Sequence, residues 1–155
     1  MDSRFRGNDT MTQTRKSFLI IFTVALLVRI VFLFAFTGEE SLLYHDSFTY
    51  IQTAKNLLAY GMYSMGYDAP PTPDSFRTPL YPLVLLPFVK FGISWYVLAA
   101  IQAIAMSGAA AVVFMLGRRI FTEKIAFAAA LMFAVEPFGA LIGNQIMTEA
   151  FFSLL

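Results

Sequence analysis

The segment Ile93–Gly117, ISWYVLAAIQAIAMSGAAAVVFMLG, runs for 25 residues without a charged side chain. At about 1.5 Å per residue, a helix of this length crosses a hydrocarbon core of about 30 Å. Small residues crowd its centre, between Ala99 and Ala111, and small residues allow helices to pack closely within membranes. The segment therefore predicts a transmembrane helix that packs against others.

The composition of the whole chain agrees with a membrane protein. Of its 155 residues, 58% are hydrophobic and only 14% are charged. A soluble domain of this size cannot hide that much apolar surface, which excludes an ordinary soluble domain and a disordered chain. The net charge of +1 is too small to produce a positive electrostatic field that attracts a polyanion, so nucleic acid is excluded as a partner. The absence of cysteine excludes disulfides, thiolate metal sites and cysteine nucleophiles.

Further apolar segments predict additional spans on both sides of this one. Ser17–Thr37 is an apolar run interrupted only by Arg29, a third segment begins at Ile125, and a fourth begins at Ala150. We therefore expect an all-α, polytopic transmembrane helix bundle of three to four spans. Glu136–Pro137 is predicted to mark the approach of the third span to the outer side.

Basic residues predict the orientation of this bundle. Arg15 and Lys16 precede the first span, and Arg118–Lys124 follows the second. Lys and Arg favour the cytoplasmic side, so the N-terminus is predicted to be cytoplasmic and residues 38–92 to lie outside.

The two ends of the chain are expected to differ from the rest. Residues 1–10, MDSRFRGNDT, are polar and patternless, and we interpret them as a disordered or spurious extension before a start at Met11. The last residues, FFSLL, lie inside an apolar run. We therefore interpret 11–155 as the N-terminal part of a transmembrane domain that is truncated at its C-terminus.

The outer segment, residues 38–92, is predicted to rest on the membrane interface. All seven tyrosines lie between Tyr44 and Tyr96, and Tyr and Trp favour the headgroup zone. Residues 46–60 have one face of apolar residues at helical spacing and an opposite polar face, which predicts an interfacial amphipathic helix ending at Gly61. The apolar face comprises Tyr50, Ile51, Ala54, Leu57 and Leu58, and the polar face comprises Gln52, Lys55 and Asn56. A proline-rich loop at 68–74 separates it from a second short helix over 78–92.

Few residues outside the spans are able to carry chemistry. Asp46 and Glu149 are predicted on the outer side at helix starts, where an acid serves either as a helix cap or as a functional group. Arg77 suits either a headgroup anchor or bidentate phosphate recognition. His45, the only histidine, is either a polar interface residue or a substrate-binding residue.

Four motifs, in order, carry a resemblance to a known family. Asp46–Gly61 (DSFTYIQTAKNLLAYG), Arg77–Leu83 (RTPLYPL), Leu116–Phe121 (LGRRIF) and Met147–Phe151 (MTEAF) are similar to motifs of the GT-C glycosyltransferases. The chain resembles the dolichyl-phosphate-mannose-protein mannosyltransferase-like family, which includes the bacterial lipid A aminoarabinose transferases. The resemblance covers residues 11–155 and implies an N-terminal part of a GT-C transmembrane catalytic domain.

The resemblance implies a function and a role for each motif residue. It implies an inverting glycosyltransferase of the bacterial inner membrane, with a polyprenyl-phosphate-linked sugar as donor, a lipid, glycan or protein as acceptor, and a periplasmic site. Asp46 would be the general base and Arg77 would stabilise the leaving phosphate. Glu149 would orient the acceptor or a metal, and Tyr50 and Tyr81 would line the site.

The resemblance leaves a divalent metal open as a cofactor. Many relatives carry two adjacent acids in the first outer loop, whereas here Ser47 follows Asp46. Some relatives place a Glu-Lys pair where this chain has Phe76-Arg77.

Two other classes of protein fit the same sequence. A polytopic transporter or lipid flippase subunit usually places charges near the midplane, often at broken helices, and Arg29 fits that alternative. A non-catalytic membrane scaffold is the third interpretation.

Overall fold

The computed structural model of the chain describes residues 3–36 and 38–153, all of which are helix or irregular structure with no strand among them. Eight helices follow one another along the described residues. They are α1 (Ser3–Ala35), α2 (Glu39–Leu42), α3 (His45–Tyr60), α4 (Leu80–Phe91), α5 (Trp95–Ile120), α6 (Glu123–Val135), α7 (Pro137–Ile142) and α8 (Glu149–Phe152). The prediction of an all-α chain is confirmed.

Two helical segments of the described chain, Met11–Ala35 and Trp95–Ile120, are long and apolar enough to cross a membrane. Their outward faces carry large apolar side chains: Phe34 is 70% exposed and Ile104 is 52% exposed. Soluble proteins rarely expose continuous apolar surface of this kind. These features indicate a membrane protein.

Close packing of small residues joins α6 to the two long helices. Ala126, Ala130 and Ala134 recur every fourth residue on one face of α6, and each is at most 1% exposed. This face packs against α1 and α5, where Ala25 and Ala110 are fully buried. Because alanine adds almost no side-chain bulk, the three backbones approach closely.

The third apolar segment forms a broken helix instead of a continuous span. Helix α6 has 13 residues, about 20 Å at 1.5 Å per residue, which is short of the hydrocarbon core. The break falls at Glu136, which precedes Pro137, because proline disfavours helical backbone in the residue before it. The Glu136 carboxylate then accepts hydrogen bonds from the N–H groups of Phe138 (2.8 Å) and Gly139 (2.5 Å). Among the described residues, two of the three to four predicted spans are therefore long enough to cross the hydrocarbon core.

The N-terminal segment, residues 1–10, was expected to be a disordered or spurious extension. Helix α1 begins at Ser3 within this segment, and its interpretation as an extension before the domain stays a prediction. Met1 and Asp2 lie outside the described residues, as does Thr37, the predicted end of that span. A translation start at Met11 stays a prediction, and so does a fourth span, since Leu154 and Leu155 also lie outside.

The two helices predicted in the outer segment are present. Helix α3 ends at Gly61, and α4 ends at Gly92; these glycines have φ of 65° and 62°, a left-handed conformation that glycine adopts at low cost. The polar face predicted for α3 differs in one residue. Asn56 is 3% exposed, whereas Leu58, predicted on the apolar face, is 41% exposed.

Candidate functional site

Asp46 and Arg77 form a two-pronged ion pair at the start of α3. Arg77 Nη2 lies 2.5 Å from Asp46 Oδ1, and Arg77 Nη1 lies 3.3 Å from Asp46 Oδ2. The Arg77 side chain is 17% exposed and that of Asp46 is 45% exposed. The pair is therefore open to solvent mainly on the side of the carboxylate.

Two neighbours on α3 hold the guanidinium in place. Arg77 Nε donates a hydrogen bond to Thr49 Oγ1 at 3.0 Å, and the Thr49 hydroxyl donates to the Asp46 carbonyl at 2.7 Å. The guanidinium carbon lies 4.7 Å from the centre of the Tyr50 ring, a cation–π distance. The hydrogen bond with Asp46 raises the pKa of Arg77, so this arginine stays charged.

Asn56 anchors the loop that carries Arg77. Its side-chain amide donates to the carbonyls of Ser64 (2.8 Å) and Gly66 (2.7 Å). Its own oxygen accepts a hydrogen bond from Gln52 Nε2 at 3.1 Å. An amide supplies the two donors that these two carbonyls need, which explains why a polar residue is buried at this position.

Asp74 closes the same loop from its other end. Its carboxylate accepts hydrogen bonds from the N–H groups of Met65 (2.8 Å) and Phe76 (3.2 Å) and from the Ser64 hydroxyl (3.1 Å). These hydrogen bonds hold the pKa of Asp74 below its usual value, and the bond from Met65 has the largest effect. The Tyr63 hydroxyl donates to the Arg77 carbonyl at 2.8 Å, which fixes the backbone of Arg77 directly.

Tyr81 continues the site away from the ion pair. Its ring meets that of Tyr50 edge-on, with centroids 5.0 Å apart, and lies 6.1 Å from the ring of Phe151. Among the described residues, neither the buried Tyr81 hydroxyl nor Oε1 of Gln102 has a hydrogen-bond partner within normal distance. Burial raises the pKa of Tyr81, and the negative charge of Glu149 adds to the effect, although Gln102 is near enough to lower this pKa slightly. Glu149 therefore lies within electrostatic reach of the Tyr81 hydroxyl.

An apolar cavity of about 340 Å³ adjoins these residues where α4 meets α8. It begins at Thr78, the residue after Arg77, and extends along Tyr81. The other residues of its wall are Pro79, Leu80, Val84, Thr148, Phe151 and Phe152. The charged pair and the apolar cavity are thus connected through the start of α4.

Five of the six predicted site residues are linked by contacts or electrostatic interactions at one end of the molecule. Asp46, Arg77, Tyr50 and Tyr81 are in contact in series, and Glu149 acts electrostatically on Tyr81. His45 is exposed beside Asp46, and no hydrogen bond joins it to this group among the described residues. The roles assigned to all six stay predictions.

The fit of a divalent metal to this site is poor in the arrangement described. No group of three or more His, Asp or Glu side chains comes together among the residues described. Both carboxylate oxygens of Asp46 are engaged by Arg77. A metal would therefore have to compete with the guanidinium for the same oxygens.

Sequence reasoning missed the residues that position the site. Thr49, Asn56 and Asp74 hold Arg77 or its loop, and Gln102 donates to the carbonyls of Gln145 (3.0 Å) and Met147 (3.0 Å) before Glu149. Helical spacing gave no signal for Asn56, because it placed this residue on the polar face of α3. Comparison of the chain with known protein families, with curated proteins and with solved structures finds no match.

Proposed function

We propose that the chain is the N-terminal part of an inverting glycosyltransferase that uses a polyprenyl-phosphate-linked sugar at the periplasmic face of the bacterial inner membrane. The observation that carries the proposal is the open Asp46–Arg77 pair beside the apolar cavity along Tyr81. A carboxylate, a fork of phosphate-binding donors and an apolar channel are the three elements that such a donor needs. The acceptor is a lipid, a glycan or a protein.

The chemistry starts with an exchange of partners. The donor phosphate takes the place of Asp46 on the Arg77 fork, which suits phosphate as well as carboxylate. The freed Asp46 carboxylate accepts the proton of an acceptor hydroxyl while the oxygen of that hydroxyl attacks the anomeric carbon. The bond from that carbon to the phosphate oxygen breaks, and its electron pair leaves with the lipid phosphate, whose charge Arg77 stabilises.

The apolar cavity takes the first isoprene units of the donor in this proposal. Its wall residues Leu80, Val84 and Phe152 have no polar side-chain groups to bind a nucleotide, whereas their apolar surface suits a hydrocarbon tail. Glu149, at the first position of α8, orients the acceptor.

Substitution of the two charged residues tests the proposal in the full-length protein with a polyprenyl-phosphate sugar donor. Asp46→Asn keeps the shape and removes the basic oxygen, so kcat falls by roughly 10²- to 10⁴-fold. Arg77→Lys loses less activity than Arg77→Ala, because the charge survives while the fork does not. The donor KM rises with both Arg77 variants.

Matched controls lie in the same chain. Asp68→Asn removes an exposed acid of the same loop, and Arg119→Ala removes an exposed arginine at the end of α5; both keep full activity. Full activity of Asp46→Asn would refute the assignment of the base and leave Asp46 as a partner of Arg77 alone.

The orientation is tested separately by cysteine labelling, since the chain contains no cysteine of its own. Thr72 and Thr122 are exposed on segments that the proposal assigns to opposite sides of the membrane. Thr72→Cys is labelled in intact cells by an impermeant maleimide, whereas Thr122→Cys requires permeabilised membranes. The reverse pattern would move the candidate site into the cytoplasm and exclude the proposed donor face.

One observation favours a transporter or flippase subunit as the second candidate function. Arg29, 1% exposed in α1, donates through Nη1 to the Ala134 carbonyl at 3.1 Å, next to the break between α6 and α7. Charged residues at broken helices are typical of transport sites. Substrate flux that survives Asp46→Asn and is lost in Arg29→Gln would favour this candidate.

A further inference from the structure

A second concavity lies on the other side of α3 from the Asp46–Arg77 pair. It encloses about 580 Å³ where α2, α3, α4 and the start of α5 meet, within the roughly 300–1,000 Å³ typical of small-molecule sites. Lys55 lines it, and Lys55 follows Asp46 by about two and a half helical turns. The two side chains therefore leave α3 in opposite directions. We refer to this concavity as the headgroup groove.

The headgroup groove carries one charge of each sign. Glu40 of α2 and Lys55 of α3 both line it, and both are exposed. No salt bridge joins the two among the residues that the structure describes. Opposite charges that face one groove without pairing are complementary to a ligand that carries both signs itself.

The remaining wall of the headgroup groove is apolar and aromatic. Phe88 and Trp95 stack with ring centroids 6.3 Å apart and planes 18° apart, and Ile93 lies between them in the chain. Gly92 turns the chain from α4 into α5 with a φ of 62°. Trp95 is the first residue of the long apolar helix α5, and tryptophan favours the depth of the lipid headgroups.

We infer that the headgroup groove binds a phospholipid with a zwitterionic headgroup, of the phosphatidylethanolamine class. Lys55 binds the phosphate, and Glu40 binds the ammonium group, which also lies near the face of Trp95. The glycerol and the first methylenes rest on Phe88 and Ile93. The inference needs only a membrane around α5, so it stands independently of the proposed glycosyl transfer.

Two features of the groove favour this ligand over a free sugar or an anionic lipid. A neutral sugar carries no charge to pair with either side chain, and an anionic lipid such as phosphatidylglycerol lacks the ammonium group that would pair with Glu40. A zwitterionic phospholipid satisfies both charges and covers the apolar wall. A bilayer presents its headgroups at high local concentration at this depth, so an affinity that is weak in absolute terms is sufficient.

Fluorescence of Trp95 provides the test, because it is the only tryptophan of the chain. The purified chain in detergent micelles receives phospholipids whose acyl chains are brominated near the glycerol, so that a bound lipid quenches Trp95. We expect brominated phosphatidylethanolamine to reach half-maximal quenching at a mole fraction roughly tenfold lower than brominated phosphatidylglycerol, a difference typical of one lost charge-assisted contact.

Charge variants decide whether the groove residues cause the preference. Glu40→Gln reduces the preference to less than about threefold, because only the ammonium contact distinguishes the two lipids. Lys55→Gln instead raises the mole fraction of both lipids that half-maximal quenching requires, because both carry the phosphate, whereas Lys55→Arg keeps both the quenching and the preference, because the positive charge remains. Lys124→Gln, which removes an exposed lysine at the far end of α5 and α6, leaves both unchanged. The far-ultraviolet circular dichroism of each variant checks that the helices are intact.

Three results would overturn the inference. Equal quenching by both lipids would show that Trp95 reports general contact with acyl chains. A preference for phosphatidylglycerol would show an anion site at Lys55 without a role for Glu40. An unchanged preference in folded Glu40→Gln would remove the ammonium contact from the site.

Discussion

Replacement of Asn56 by alanine tests whether a single amide holds the loop that carries Arg77. Asn56 is 3% exposed, and its Nδ2 group donates to two loop carbonyls, those of Ser64 at 2.8 Å and Gly66 at 2.7 Å. Asn56→Ala removes both bonds and leaves α3 otherwise unchanged, since alanine is a good helix former. We expect the loop to open more often, with Arg77 released from Asp46 during each opening.

The size of the effect follows from these two bonds. A neutral hydrogen bond contributes about 1 kcal/mol net, so two lost bonds destabilise the closed loop by about 2 kcal/mol. Gly66 keeps a weaker bond from Gln52 Nε2 at 3.4 Å, which limits the loss. Because about 1.4 kcal/mol is tenfold in an equilibrium constant, the open population rises by roughly thirtyfold.

Hydrogen–deuterium exchange measured by mass spectrometry on peptides covering 61–79 reads this population directly. Two N–H groups report the open population. That of Met65 donates to Asp74 Oδ2 at 2.8 Å, and that of Asp74 donates to the Tyr63 carbonyl at 3.0 Å. We expect their exchange to accelerate by about thirtyfold in Asn56→Ala, and more in Asn56→Asp, whose carboxylate repels both carbonyls. Gln52→Ala serves as the matched control, with less than about threefold acceleration.

Peptides from α5 should exchange equally in all four proteins, since the change is local. Unchanged exchange over 61–79 in Asn56→Ala would refute the reasoning, because the loop would then be held by Asp74 and Tyr63 alone. Equal acceleration in Gln52→Ala and Asn56→Ala would show that the amide of Gln52, at 3.1 Å from Asn56 Oδ1, is an equal part of the anchor.

Two further outcomes follow from particular residues. The hydrogen bond from Met65 lowers the pKa of Asp74, so this carboxylate stabilises the closed loop above its unfolded pKa of about 3.9 and ceases to do so as the pH falls through its lower folded value. Protection of residues 61–79 against exchange, relative to the intrinsic rate at each pH, should therefore be lost only in acid, whereas Asp74→Asn should lack this protection already at neutral pH. Ala130 is fully buried in α6, whereas Ala129 is exposed; Ala130→Leu should lower stability in detergent by about 1–3 kcal/mol through overpacking, and a similar loss of thermal unfolding midpoint in Ala129→Leu would contradict the packing described.

Periodicity and composition were sufficient for the helices of the outer segment and for α5. Helix α3 was expected over 46–60 and spans His45–Tyr60, because one apolar face and a terminal glycine are local signals. The uncharged segment 93–117 is contained almost whole in Trp95–Ile120. Such helices can be predicted from their own sequence, without knowing which elements they pack against.

The predictions that failed depend on residues distant in the chain. Asn56 was assigned to the polar face of α3, because helical spacing cannot show that two carbonyls from residues 64 and 66 need its amide. Spacing also gives no sign of the two-pronged contact between Asp46 and Arg77, which are 31 residues apart. The break at Glu136–Pro137 was visible in the sequence, but it was interpreted as the end of a span instead of an interruption.

The two sites proposed here share one rigid element. Lys55 and Asn56 are neighbours near the end of α3, yet Lys55 faces the headgroup groove while Asn56 holds the loop of Arg77. Successive residues of a helix point about 100° apart, so one turn serves two separate partners. A phospholipid bound at Lys55 would therefore fix the height of α3 relative to the headgroups, and with it the height of Asp46 at the other end. Since the phosphate of a lipid-linked donor lies at that same depth, the arrangement would bring the Arg77 fork and the donor phosphate to one level without further contacts.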